Sequence, residues 1–206
     1  LHGQALDDAD EHRGGGSDVQ IRRHFAVLHG VLQQLRQQLA THPADEIIFV
    51  RGATEAINLV AKTWGVQNIG EGDEIIVSLL EHHANIVPWQ QLAQQTGAKI
   101  RVIPVDDSGQ LLLDEYQKLL NPKTKLGSVT QVSNALGTVT PIKQVIDMAH
   151  AAGAKVLVDG AQSVSHLRVN VQALDADFFV FSGNKIFGPT RISVVYGKQA
   201  LPEPMT

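Results

Sequence analysis

The sequence predicts an α/β domain in three layers, with helices covering both faces of a mostly parallel sheet of seven strands. Two observations carry that expectation. From Glu46 onward, seven short runs rich in β-branched and aromatic residues alternate with helical patterns, and such alternation marks a sheet covered by helices. Several of the runs are apolar at nearly every position, as strands buried on both faces require.

The elements follow in chain order. Residues 1–17 read as an irregular segment, acidic at first and then carrying Gly14, Gly15 and Gly16 in a row; residues 18–200 read as one large domain. From Asp18 to about His42, Ile21, Phe25, Leu28, Leu32, Leu35 and Leu39 recur at steps of four and three, which predicts a helix capped by Ser17 or Asp18. Three such repeats with glutamine-rich flanks are read as a helix packed on the domain rather than a coiled coil. Strands are predicted at Glu46–Arg51, Glu74–Ser78, Lys99–Val105, Leu126–Val132, Lys155–Asp159, Asp177–Ser182 and Ile192–Tyr196. Helices are predicted at Thr54–Trp64, Ala84–Thr96, Leu112–Leu120 and Pro141–Ala152, the last with Thr140 as N-cap, Pro141 at the first helical position and Gly153 just past the end. Pro202 and Pro204 read as the chain leaving the domain.

Composition narrows the class of function. The 206 residues are 43% hydrophobic and 18% charged, ordinary for a globular chain. A net charge of -4 provides no electrostatic reason to expect nucleic acid as a partner. No apolar run approaches the ~20 residues that span a bilayer. Leu1–Asp10 contain no basic region followed by an apolar stretch, so no signal peptide is predicted and a cytoplasmic location is expected. A chain beginning at Leu1 rather than Met is read as a fragment or a processed product. The absence of cysteine excludes disulfides, thiolate metal sites and a cysteine nucleophile within these residues.

In open α/β sheets, ligands sit beyond the carboxyl ends of the strands. The polar residues at those ends are Arg51-Gly52-Ala53-Thr54, Glu81-His82-His83, Ser133-Asn134, Asp159-Gly160-Ala161-Gln162 and Ser182-Gly183-Asn184-Lys185. Lys185 suits a Schiff-base nucleophile, although an exposed lysine in a glycine-rich turn would look the same. Asp159 could hold the proton on a pyridine nitrogen or simply cap a turn. Gln162 could donate to a phenolic oxygen while the backbone turns through Gly160. Gly52-Ala53-Thr54 before a helix could bind phosphate or merely cap that helix, with Ser182 adding a hydroxyl. His82 could stack on an aromatic cofactor and shuttle a proton, or be a loop histidine facing solvent; His83 is expected to point elsewhere, so the pair is not read as a metal site. Residues Gly183–Thr190 differ from a phosphate-binding P-loop by Pro189 in place of the lysine, and a strand follows instead of a helix. No dinucleotide-binding glycine turn, zinc-protease or nucleophile-elbow motif occurs.

Four stretches together resemble group II (SufS-like) cysteine desulfurases, within the class V aminotransferase family of fold-type I pyridoxal-phosphate enzymes: RGATEAINLVAKTWG (51–65), EHHANIVPWQ (81–90), VLVDGAQSVSH (156–166) and FSGNKIFGPT (181–190). The resemblance runs from about Ala44 to Gly197 and implies the large domain of that fold, with the family's small carboxyl-terminal domain absent. It implies pyridoxal 5'-phosphate as cofactor, Lys185 as Schiff-base lysine, Asp159 at the pyridine nitrogen and Gln162 at the phenolic oxygen. It also implies His82 stacked on the ring, Asn134 near substrate and ring, and Thr54 and Ser182 at the phosphate. The implied reaction takes sulfur from L-cysteine, leaving L-alanine, in a homodimer that feeds iron–sulfur cluster assembly through a sulfur-acceptor protein. A selenocysteine lyase, an aminotransferase or a non-catalytic scaffold on the same fold are the alternatives. Three departures stand out: no cysteine to carry a persulfide, Asn184 where the family commonly has histidine, and Arg191 where it has glycine and a side chain is expected to crowd the backbone.

Overall fold

The computed structural model describes residues 46–186 and 192–198. The helix expected at Asp18–His42, the first 17 residues, the Gly188–Arg191 stretch and the terminal prolines lie outside the described residues.

The described chain forms the seven strands that its apolar runs predict: β1 (Ile47–Val50), β2 (Glu74–Ser78), β3 (Lys99–Ile103), β4 (Thr124–Thr130), β5 (Lys155–Asp159), β6 (Phe178–Ser182) and β7 (Ser193–Gly197). They lie in the order β1-β7-β6-β5-β4-β2-β3. The neighbours from β3 through β6 are parallel, while β7 runs antiparallel to both β6 and β1. It follows that β1 points the same way as the parallel strands. The carboxyl ends of β1, β2, β4, β5 and β6 therefore share one edge.

Helices fill the connections. α1 (Ala53–Val60) continues through a π turn at Ala61–Gly65 and a final turn at Val66–Asn68, well beyond the predicted Trp64. The extension packs so closely on α2 (Val87–Thr96) that a Cβ at Gly65 would fall 2.7 Å from Leu92. α3 (Leu113–Leu119), α4 (Ile142–Ala151) and the short α5 (Val171–Leu174), which the residue pattern does not predict, complete the layers.

Side chains alternate across the sheet with the two-residue period of a strand. On one face Ile75, Val77, Leu126, Leu157, Phe178, Val180 and Val195 form a core with Ala56, Ile57, Val60 and Trp64 of the α1 helix and Trp89 and Leu92 of α2. Trp64 meets Phe178 edge to face at 5.5 Å, a geometry that aromatic quadrupoles favour. The intervening residues, including Val156, Val158 and Phe179, are fully buried on the other face, where α4 covers β4 and β5.

The start of α4 differs from expectation. Thr140 does not cap it: its hydroxyl donates to the carbonyl of Thr130 at 2.7 Å, pinning the loop to the end of β4. Pro141 takes the N-cap position and the helix begins at Ile142. With Pro141 at the N-cap, Thr140 lies one residue before it and its hydroxyl is directed to the end of β4 rather than to the first turn of the helix. Gly153 does close the helix, at φ +80°, which glycine adopts without steric cost.

At the opposite edge of the sheet, the fully buried Asp177 is enclosed by His150 Nε2 at 2.7 Å, the Val156 N–H at 2.8 Å and the Lys155 ammonium at 3.0 Å. This cluster ties α4 to the starts of β5 and β6.

Candidate active site

β5 ends in Asp159, which is 5% exposed. Paired in parallel with Val180 and Thr130, it lies on the α1 face of the sheet, in line with Leu157. The Oδ1 atom accepts the Ala161 N–H at 2.9 Å, so the residue does cap the turn after its strand. Among the described residues Oδ2 has no hydrogen-bond donor. Burial raises the carboxyl above its ordinary range, while the nearby His82 imidazole pulls the other way.

One strand over, Ser182 ends β6 on the same face. Its Oγ accepts the Ala53 N–H at 3.1 Å and so ties the strand to the first turn of α1. Gly52, extended at φ -172°, leads into that turn. The first N–H groups of a helix have no partner within it: that of Ala53 is bound to Ser182, whereas those of Thr54 and Glu55 have no acceptor among the described residues. Thr54 is exposed. Glu55 reaches back to the Arg51 N–H at 2.6 Å and pairs with its guanidinium at 2.7 Å.

His82 follows β2 in an exposed turn, where its Nδ1 accepts the Ala84 N–H at 3.1 Å. The expectation that His83 points elsewhere is overturned: the two rings stack at 4.0 Å with an interplanar angle of 33°. The helical turn at His83–Asn85 rotates the second ring back over the first, where an extended backbone would have sent them to opposite sides.

Beneath that turn lies a group to which the sequence assigned no role. Glu81, nearly buried, accepts Ser78 Oγ at 2.5 Å and the Thr130 N–H at 2.9 Å on Oε1, and Asn85 Nδ2 at 2.6 Å on Oε2. Burial, opposed by these donors and reinforced by Asp159, pushes its carboxyl up to about 7. An acid raised in the folded state binds more protons there than in the unfolded chain, so its contribution to stability falls as pH climbs from about 4.5 to about 7. Denaturant titrations should show the native chain losing on the order of 2–3 kcal/mol relative to Glu81→Gln between pH 5 and pH 7.5. A parallel response in both proteins would contradict the buried charge. A glutamate followed four residues later by asparagine, with a tryptophan four further on, is the helical-spacing signal that was available in the sequence.

Gln162, Asn134 and Lys185 complete the predicted set. A cleft of about 380 Å³ is lined by Val132, Asn134, Val139, Gln162, His166 and Leu167. It brings Gln162 and Asn134 together; Asp159, His82 and Lys185 are not among its lining residues. Lys185 is exposed on the 3₁₀ turn Gly183–Ile186, which packs against the turn Ser163–Ser165 just after Gln162.

The family model for aminotransferase class-V matches residues 12–206. A cysteine desulfurase of Synechococcus elongatus is 68% identical over 169 residues, which cover 82% of this chain and 27% of that protein. A cysteine desulfurase of Klebsiella pneumoniae strain 342 is 53% identical, covering 92% of this chain and 51% of its own. The crystal structure of the cysteine desulfurase CsdA from Escherichia coli, 40% identical, superposes with a TM-score of 0.82 over 94% of this chain and 48% of that one. The chain thus spans about half the length, or less, of these relatives.

Proposed function

The chain belongs to the aminotransferase class-V family, and from that premise we propose that it is the pyridoxal-phosphate-binding part of a cysteine desulfurase, which takes sulfur from L-cysteine and leaves L-alanine. The observation that carries the reading is Asp159: a buried carboxylate at a strand's carboxyl end, one oxygen held by the Ala161 N–H and the other without a donor among the described residues. A pyridinium N–H is a donor of the right kind for that oxygen. The unpaired N–H groups of Thr54 and Glu55 at the start of α1 fit a phosphate in the same way, because the helix dipole is positive there. High identity to proteins named cysteine desulfurases supports the choice of reaction.

When bound, pyridoxal phosphate supplies the electron sink for carbanion chemistry at the substrate Cα. The chain's own residues do the rest. Asp159 holds the proton on the ring nitrogen, Gln162 donates to the phenolic oxygen, and His82 covers the ring face. Thr54 and Ser182 bind the phosphate, and Asn134 orients the substrate. Lys185 anchors the cofactor and moves the proton at the substrate Cα, a task its flexible stem and single titratable amine suit. These 206 residues contain no cysteine, so the thiol that accepts the sulfur comes from outside them.

Borohydride reduction after incubation with pyridoxal phosphate, followed by peptide mass spectrometry, tests the reading. The adduct is expected on Lys185. Labelling scattered over surface lysines, with no enrichment at position 185, counts against it.

A further inference from the structure

We propose that Glu81 is a positioning residue of the cofactor site, acting through His82: its buried carboxylate clamps the His82-bearing turn to the ends of β2 and β4, and so fixes the imidazole relative to Asp159. The assignment of His82 to the ring face rests on the function proposed above; the clamp itself is a matter of hydrogen bonds.

Four observations converge on it. Glu81 is bonded to three separate parts of the fold: Ser78 at the end of β2, the Thr130 N–H at the end of β4, and Asn85 in the His83–Asn85 turn. Asn85 is fully buried and cannot turn over. Its Oδ1 is already engaged by Trp89 Nε1 at 3.1 Å and Ser128 Oγ at 2.6 Å, so its Nδ2 must face Glu81. Ser78 Oγ also accepts the Leu80 N–H at 3.1 Å, holding the two residues between strand and clamp. Finally, the residue held in place, His82, is adjacent in sequence, and its neutral ring has a determined tautomer: Nδ1 accepts the Ala84 N–H, which leaves the proton on Nε2. A buried acid is costly to retain in a turn that apolar packing could have filled. Here every one of its bonds restrains the turn that carries the predicted ring-stacking histidine.

The test uses the 206-residue chain. Without cofactor, amide hydrogen exchange at Ala84 and Thr130 is expected to speed up about tenfold or more in Glu81→Ala. With pyridoxal phosphate bound, visible circular dichroism, which reports how the ring is held, is expected to fall by about half or more in the same variant. E81Q alone sets an amide NH₂ against that of Asn85 and should behave like the alanine variant. The double variant E81Q/N85D moves the acceptor to position 85, restores a donor–acceptor pair, and should recover both signals. A folded Glu81→Ala with native Ala84 protection and native dichroism overturns the proposal, as does a double variant no better than E81Q. If Glu81→Ala does not fold, Ser78→Ala, lacking one donor to Oε1, must still loosen Ala84; no change there is equally fatal. A native chain with no dichroism on adding pyridoxal phosphate sinks the proposed function instead, and the exchange measurements, made without cofactor, then decide the clamp.

Discussion

Lys185→Ala is expected to abolish the visible absorbance band that the chain develops with pyridoxal phosphate, while leaving the fold intact. A covalent link through an amine shifts the cofactor's own absorbance to that longer-wavelength band, and among the residues at the carboxyl edge Lys185 follows β6, beside the turn after Gln162. Its side chain is exposed and makes no hydrogen bond or ion pair among the described residues. Truncation therefore removes no hydrogen bond or ion pair among the described residues, and the expected change in stability is within about 0.5 kcal/mol. The loss of the band should be complete, since alanine offers no amine at that position. Far-ultraviolet circular dichroism and the denaturant midpoint serve as controls. A band of normal intensity in this variant would remove Lys185 from the site and with it the proposed chemistry.

The second large effect is steric. A methyl group at Gly160 would lie 2.1 Å from Cζ and 2.4 Å from Cε1 of Phe179, a ring that is itself fully buried in the middle of β6. Neither partner can yield: the Gly160 N–H is bonded to the Val180 carbonyl at 2.8 Å, and its carbonyl accepts the Val164 N–H at 3.2 Å. Gly160→Ala should cost about 2–3 kcal/mol, at the upper end of what overpacking a core costs. Because Asp159 is the preceding residue, the forced shift should also weaken pyridoxal-phosphate binding. Gly52→Ala is the control. A methyl there meets nothing within 4 Å and the backbone is extended, so the expected change is only the weaker N-cap preference of alanine, about 0.5–1 kcal/mol. Urea titrations of the two variants side by side check the contrast; equal midpoints would mean that Phe179 can move.

The strands were the most legible part of the chain. Burial on both faces leaves a nearly unbroken apolar run, and turns or exposed helices do not produce one. β2 and β5 have the bounds that the residues predict, and the others differ by at most two residues at an end. Helix ends were harder. Thr140 has the chemistry of a cap, but whether a hydroxyl caps its own helix or bonds a distant carbonyl depends on what the fold brings near, and here that is Thr130. The direction of His83 differs from expectation for a related reason: ring direction depends on the backbone torsions of a single turn, which residue types barely constrain. Glu81 was visible among the polar residues after β2 yet received no role. Its partner Thr130 lies 49 residues away, and Ser128, which fixes the orientation of Asn85, lies 43 residues beyond that asparagine.

What the residues determined by themselves is the architecture and the identity of the groups at one edge of the sheet: apolar periodicity dictates strands and helices, and parallel connections send the ends of β2 through β6 the same way. What only the tertiary structure decided is how those groups are held. Asp159 divides its two oxygens between a turn and an open position, Ser182 is committed to the start of α1, and Gly160 is needed for a neighbouring ring rather than for its own torsions, since its φ is not positive. Each of these depends on contacts between segments far apart in the chain, and local sequence carries no record of distances across a core.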